Sequence, residues 1–197
     1  MKDLGLMHYF LGLDVWQHKD EIFLSQGRYT IDILRRFEMM DCKSMSTPMT
    51  MKLKKLSDAA ADSDLVDPTV YRQLVGWLIY LVNTRLDICF AVSTLGQFMC
   101  EPRQMHWVAA KHVLRYLCGT VGYGLRYTSS SDLTLVSYSD SDWDGSVDDR
   151  KSTSGCCFSL GPAMVSWFNT KQSAVSLSTA EAEYIATCMA AREAVWL

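Results

Sequence analysis

The apolar positions of the chain change period along its length, and the changes mark its organisation. Tyr9-Phe10-Leu11-Gly12-Leu13-Asp14-Val15 and Ile22-Phe23-Leu24 are short strand-like runs, and the polar stretch from Gln17 to Glu21 predicts a hairpin turn between them. Gly27 to Met39 moves to helical spacing, with Ile31, Leu34 and Phe37 toward one side and Arg35 and Arg36 solvated. A hairpin alone is marginal in water, so these strands are expected to have partners upstream. From residue 41 the composition turns to Ser, Thr, Pro, Lys, Ala and Asp, and residues 51–68 are expected to form a linker of low order.

Residues 69–119 predict three helices. Thr69 is the expected N-cap of Tyr71 to Val82, Asp87 that of Ile88 to Met99, and Pro102 stops the second helix. The third, Met105 to Leu117, ends at Gly119. From 120 the pattern returns to strands. Gly122 to Thr128 and Leu133 to Ser139 flank a turn at Ser129-Ser130-Ser131-Asp132. A hairpin follows, Gly155 to Leu160 and Ala163 to Phe168 across Gly161-Pro162, and then a helix from Ala180 to about Val195. Ser178 with Glu181 has the capping-box spacing at its start. The whole predicts an α+β fold.

Composition adds exclusions. With 197 residues, 49% hydrophobic and 21% charged, the chain is long enough to bury a core. A net charge of −3 advertises no global attraction to nucleic acid, so any basic face must be local. Arg103, His106, Lys111, His112 and Arg115 offer one on the third helix, either as a solvated face or as phosphate contacts. The seven Cys are scattered without a C-x-x-C, which predicts reduced, mostly buried thiols, and the four His lack ligand spacing with a Cys pair, which argues against zinc. The N-terminus has no signal-peptide pattern, and the longest apolar run, Leu74 to Val82, is too short to span a bilayer; an intracellular location (cytoplasm or nucleus) and no membrane partner are expected.

The candidate chemistry lies between Leu133 and Tyr184. A strand ends in Asp140, Asp142 and Asp144, and a helix begins with Glu181 and Glu183. Two such acids repel unless they are solvated or share a cation, and Mg²⁺ is the hard, water-retaining cation suited to a phosphate substrate. Glu181 and Glu183, two residues apart, point to different helix faces. Glu183 is the expected inward acid, because Tyr184-Ile185-Ala186 behind it are expected to pack inward. Alternation puts Asp140 on the face shared by Val136 and Tyr138, and spacing alone leaves Asp140 and Asp142 both open. The same residues could equally be a polar loop and a helix start made acidic by the dipole.

The motifs in order carry a resemblance. Tyr138-Ser139-Asp140-Ser141-Asp142-Trp143, Asp149-Arg150-Lys151-Ser152-Thr153-Ser154-Gly155, Ser166-Trp167 with Lys171-Gln172, and Leu177-Ser178-Thr179-Ala180-Glu181-Ala182-Glu183-Tyr184 resemble the ribonuclease H domain of copia-type (Ty1/copia) retrotransposon Pol polyproteins. Upstream, Asp3-Leu4-Gly5 with Tyr9-Phe10-Leu11-Gly12 resembles the end of the reverse transcriptase palm. Tyr71-Arg72-Gln73-Leu74-Val75-Gly76 and Leu114-Arg115-Tyr116-Leu117 resemble its thumb and connection region. The resemblance covers essentially the whole chain. It implies a palm remnant over residues 1–50, thumb or connection helices over 69–119, and over 120–197 the first part of a ribonuclease H-like domain with an incomplete mixed sheet and a packed helix.

It also implies an endonuclease that cuts RNA in RNA–DNA hybrids with Mg²⁺. Asp140 and Glu183 would be catalytic and metal-binding, and Arg150, Lys151 and Ser152 would lie near substrate. The family's polymerase carboxylates and its third catalytic Asp have no counterpart in the chain, so it is expected to be a piece of the polyprotein without nuclease activity of its own. Smaller departures are Leu86 for a usual Pro, Trp77 for a small residue and Asp144 for Ala. Two alternatives stand beside this one. One is an active nuclease within a longer product. The other is a repurposed protein of the kind labelled secreted RxLR effector, although Arg115-Tyr116-Leu117-Cys118 misses the Arg-x-Leu-Arg motif by its last residue.

Overall fold

Three strands and a tight turn open the chain. In the computed structural model, which describes residues 5–49, 63–129, 133–143, 145–146 and 149–197, β1 (Tyr9–Phe10), β2 (Leu13–His18) and β3 (Glu21–Ser25) form an antiparallel meander. The expected turn over 17–21 tightens to Lys19-Asp20, since Gln17 pairs with Ile22 and His18 with Glu21. Gly12, at φ 76°, makes the β1–β2 turn, and a Cβ there would come within 2.8 Å of the Tyr80 hydroxyl, which donates to the Leu11 carbonyl. Most of the linker over 51–68, most of the Ser129–Asp132 turn, and Asp144 lie outside the described residues.

The chain divides into two units, one of residues 1–50 with 64–131, the other including 132–197. In the first, β4 (Gly124–Thr128) pairs antiparallel with β3, Ser25 opposite Gly124 and Glu21 opposite Thr128. This differs from the expectation that 122–128 pairs with the next strand and opens the domain after residue 119. Two features fix β4 on β3. Arg126 forms an ion pair with Glu21, and Gly124 comes so close that a Cβ would lie 2.2 Å from the Leu24 carbonyl oxygen.

The helices of this unit are α1 (Gly27–Arg36), α2 (Pro68–Leu81), a 3₁₀ turn (Leu86–Ile88) leading into α3 (Cys89–Gly96), and α4 (Gln104–Gly119). Asp14 of β2, buried, is 2.9 Å from the Arg28 guanidinium and accepts the Arg28 N–H, which fastens the sheet to the start of α1. Asp67 rather than Thr69 caps α2, its carboxylate accepting the Thr69 N–H with Pro68 at the first helical position, where a missing N–H costs nothing. Asp87 does not cap α3 either. Its carboxylate takes the buried Arg85 guanidinium at 2.7 Å and the Tyr116 hydroxyl at 2.6 Å. The helices close on Ile33, Leu34, Tyr71, Leu74, Leu78 and Leu114 among others, all fully or almost fully buried. Trp77, large where a small residue was expected, packs beside Tyr29 and Phe37 under the Arg36 guanidinium.

In the second unit β5 (Leu135–Asp142), β6 (Thr153–Leu160) and β7 (Ala163–Lys171) form a sheet in the order β5-β6-β7, followed by α5 (Thr179–Trp196). Both pairings are antiparallel, so among the described residues the sheet is not the mixed one expected. Gly161 supplies the positive φ of the β6–β7 turn. Alternation buries Ser154, Cys156 and Phe158 on one face of β6. Ala182, Ala186 and Ala190, four residues apart, are the buried stripe of α5, and small side chains let a helix backbone lie close to a sheet. No helix of the described residues is long and apolar enough to cross a membrane.

Candidate carboxylate site

Gln172, fully folded into the second unit, organises the strand end and the helix start. Its side-chain amide donates to the Ser154 hydroxyl at 2.9 Å, to the Ala182 carbonyl at 3.0 Å and to the Ser141 hydroxyl at 3.4 Å. Its carbonyl accepts from Ser176 at 2.8 Å. The end of β5 and the first turn of α5 are therefore drawn to one amide, and Trp143 adds a bond from its indole N–H to the Ser176 carbonyl at 3.2 Å. A buried polar group with all its bonds made holds its neighbours in one arrangement. In the sequence Lys171-Gln172 stands out only as part of a motif. Its signal is a long amide side chain in an otherwise alternating strand end.

Asp140 and Glu183 flank this point, next to Ser141 and Ala182. The Ser141 side chain bonds Gln172, and its partner across the sheet, Ser154, lies on the buried face of β6. Alternation therefore turns Asp140, with Val136, Tyr138 and Asp142, to the opposite, open face of the sheet. Asp140 is exposed. Glu183 is exposed as well, and this corrects the expectation of an inward acid. The inward positions are Ala182, Ile185 (partly) and Ala186, whereas Tyr184 is 72% exposed.

The neighbouring acid Glu181 has a structural partner. Ser178 accepts the Glu181 N–H at 3.2 Å, and the Glu181 carboxylate accepts the Leu177 N–H at 2.7 Å. The capping box thus forms with its return bond shifted one residue before the cap.

The residues expected near substrate fall on the loop between β5 and β6. Arg150 is exposed and held in the left-handed region at φ 54°, and Lys151 is half-buried. Ser152 is fully buried and its carbonyl accepts the Gln172 N–H at 2.8 Å, so its place is inside the unit rather than on a substrate surface. Asp149 pairs with Lys171 at 2.8 Å. Hydrogen bonds from Lys171 and then Ser146 hold its carboxyl down to about 2.

A divalent ion needs converging oxygen donors. Among the described residues no group of three His, Cys, Asp or Glu side chains converges. Asp140 and Glu183, both exposed, therefore do not make a complete Mg²⁺ site on their own.

The basic face expected on α4 is engaged inside the first unit. His106 is buried and stacked on Phe98, its Nδ1 accepting the Arg103 N–H at 3.0 Å. Arg103 pairs with Glu101 at 2.5 Å, and Lys111 lies over Trp107. Arg115 donates to the Lys43 carbonyl at 2.7 Å, and His112 bonds the Thr47 carbonyl at 3.0 Å.

The molecule is thus an α+β chain of two antiparallel-sheet units, the second a strand–hairpin–helix frame with carboxylates at its strand end and helix start. Comparison with known proteins adds its relatives. It is 42% identical over 196 residues to the uncharacterized mitochondrial protein AtMg00810 of Arabidopsis thaliana, all of this chain and 80% of the relative. It is 42% identical over its full length to the retrovirus-related Pol polyprotein from transposon RE1 of the same plant, of which it spans 13%. Over 128 residues, 64% of the chain, it is 49% identical to secreted RxLR effector protein 161 of Plasmopara viticola, covering 90% of that protein. Over essentially its whole length the chain is homologous to retrovirus-related Pol polyproteins from copia-type transposons, and it spans about an eighth of the length of those it matches. No family model matches it, and no solved structure does.

Proposed function

We propose that the chain is the segment of a copia-type Pol polyprotein that runs from the end of the reverse transcriptase through the first part of a ribonuclease H domain, and that alone it does not cleave RNA–DNA hybrids. The observation that carries this is the likeness to Pol polyproteins at about 40% identity over the whole chain, joined to the motif order from Tyr9 to Tyr184. Within the polyprotein, Asp140 and Glu183 would each contribute one carboxylate to a Mg²⁺ site, with further donors supplied elsewhere. Mg²⁺ at such a site would activate water and stabilise the leaving oxygen of a phosphodiester. Here the two carboxylates are exposed and no third donor converges among the described residues. The rest of the polyprotein and an RNA–DNA hybrid are its partners in this proposal, and its place is inside the cell. An assay of hybrid cleavage by the purified chain with Mg²⁺ or Mn²⁺ tests it. Background cleavage is expected; cleavage abolished by Asp140→Asn overturns it.

A second reading, a repurposed non-enzymatic protein, draws on the relative named as an RxLR effector. Against it, Arg115-Tyr116-Leu117-Cys118 lies inside α4 with Leu117 fully buried, where a linear targeting motif cannot be presented.

A further inference from the structure

Two of the seven thiols face each other across a long stretch of chain. Residues 40–47 lie along α4 and are held to it by successive side chains of one helix face. His112 bonds the Thr47 carbonyl, Arg115 the Lys43 carbonyl at 2.7 Å, and the Met45 N–H donates to the Arg115 carbonyl at 3.3 Å. At the end of this face the Cys118 thiol donates to the Met40 carbonyl at 3.3 Å and lies 3.7 Å from the Cys42 carbonyl oxygen. That oxygen is within about 2.5 Å of its own Cα, so the Cys118 sulfur is within about 6 Å of the Cys42 Cα, close enough for modest side-chain rotation to join the two. The Cys118 thiol is a close neighbour of the Cys42 thiol and helps to raise its pKa. Cys42 also lines a surface cleft with Arg35, Glu38, Met40 and Asp41, which gives a small oxidant access.

We propose that Cys42 and Cys118 are a redox-closable dithiol whose disulfide fastens the 40–47 segment to α4. The oxidant class is a low-molecular-weight disulfide such as glutathione disulfide. The Cys42 thiolate attacks one sulfur and expels one glutathione thiolate. The Cys118 thiolate then displaces the second from the mixed disulfide. The two protein thiols lose two electrons and two protons, and one glutathione disulfide becomes two glutathiones. Burial and then the neighbouring Cys118 thiol hold the Cys42 pKa above its ordinary value, and the Arg115 guanidinium acts the other way. Exchange at this pair is therefore slower than at an exposed thiol but ends in a ring rather than a mixed disulfide. The two cysteines are 76 positions apart, so the bond constrains the unfolded chain strongly.

The test uses the full chain under native conditions, incubated with glutathione disulfide, alkylated and digested with trypsin. The expected product is the peptide 37–43 joined to the peptide 116–126, about tenfold above any other cysteine pair because the facing thiols have a high effective concentration. A rise in Tm of about 5 °C or more over the dithiothreitol-treated chain is expected with it, and Cys118→Ser removes that rise. Cys42 and Cys118 recovered alkylated or singly glutathionylated, while exposed Cys100 and Cys188 have reacted, overturns the proposal. So does a cross-link that forms only in urea. The peptide map of the unsubstituted chain decides the matter even where Cys118→Ser does not fold.

Discussion

Among the described residues the hydrophobic cluster of the first unit has sixteen buried members from Ile33 to Leu117, whereas that of the second has three, Cys156, Phe158 and Ala190, beside the small buried side chains Ala163, Ala182 and Ala186. The second compensates with directed polar bonds. Gln172 reaches three hydroxyls and one backbone carbonyl, Ser166 donates to Glu193 at 2.7 Å, and Ser178 and Glu181 cap α5. Apolar burial supplies most of the free energy of folding, while hydrogen bonds net only about 1 kcal/mol each but specify geometry. The comparison teaches that the unit carrying the candidate chemistry is the one positioned by polar contacts and least buffered by core.

Phe158→Ala should break that comparison most. Among the described residues it removes the large fully buried side chain of the second unit, whose other buried apolar groups are small, at a cost of about 3–5 kcal/mol. Hydrogen exchange read by mass spectrometry should show the amides of β5–β7 and α5 exchanging together while those of α2 and α4 stay protected. Leu114→Ala, in the larger core, costs about 2–5 kcal/mol and should act on the first unit. Loss of protection in both units after either substitution would mean that they fold as one, and the contrast would fail.

Next in size is the ion pair of a buried Arg85 with Asp87 at the surface of the first unit. Arg85 bonds Asp87 and also the carbonyl and hydroxyl of Thr120, so Arg85→Met leaves several groups without partners and should cost about 3 kcal/mol, measured as a lower urea midpoint. Burial raises the Asp87 pKa, but hydrogen bonds from Arg85 and Tyr116 outweigh it and the net shift is downward. A depressed folded pKa means that the contribution is complete above the unfolded value of 3.8 and is lost as pH falls below it. Tyr116 is pushed up to about 12, by burial first and then by its bond to Asp87. Its contribution is therefore complete below its ordinary value of 10 and is lost as pH rises toward 12. Urea midpoints against pH should show both limbs, and Asp87→Asn should remove the acid limb and shrink, without abolishing, the alkaline one.

A smaller effect is expected from Gln172→Ala, about 1–3 kcal/mol, as buried partners in β6 and α5 lose their bond. Amide exchange at the start of α5 reports it. An unchanged rate there would show that the Ala182–Ala186–Ala190 stripe alone seats the helix.

Much of this architecture was legible in period and punctuation. The strand around Ile22–Leu24, the hairpin of β6 and β7, the helices near their expected spans and the Ser178–Glu181 cap follow from local signals, whereas the run Tyr9–Val15 is split into β1 and β2 by the turn at Leu11-Gly12. The misses are non-local. Thr69 and Asp87 are equally good caps by type, but Pro68 selects Asp67, and Arg85 and Tyr116 claim Asp87 from 2 and 29 residues away. Strand 124–128 pairs with β3, about a hundred residues back, and turn signals cannot announce such a partner. The inward side of α5 was misjudged because size was weighed above closeness. A helix laid flat on a sheet of Ser and Cys selects Ala182, Ala186 and Ala190 and sends Tyr184 outward. The basic positions of α4 were left between a solvated face and phosphate contacts because the acceptors of Arg115 and His112, the carbonyls of Lys43 and Thr47, lie in an aperiodic segment.

The finest test separates two acids that look alike in sequence. Glu181 accepts the Leu177 N–H at the end of a helix whose dipole favours negative charge there. Glu181→Ala should cost about 1 kcal/mol, close to the cost of Ser178→Ala, and a double substitution should show the two to be coupled. Glu183, one turn edge further and exposed, should tolerate Glu183→Ala within about 0.5 kcal/mol. Urea midpoints of the three variants, read from the far-ultraviolet signal, decide it. A stable Glu183→Ala leaves that carboxylate free of structural duty, as a group reserved for a metal or substrate must be. A loss equal to that of Glu181→Ala would make both acids part of the helix start and remove Glu183 from the candidate site.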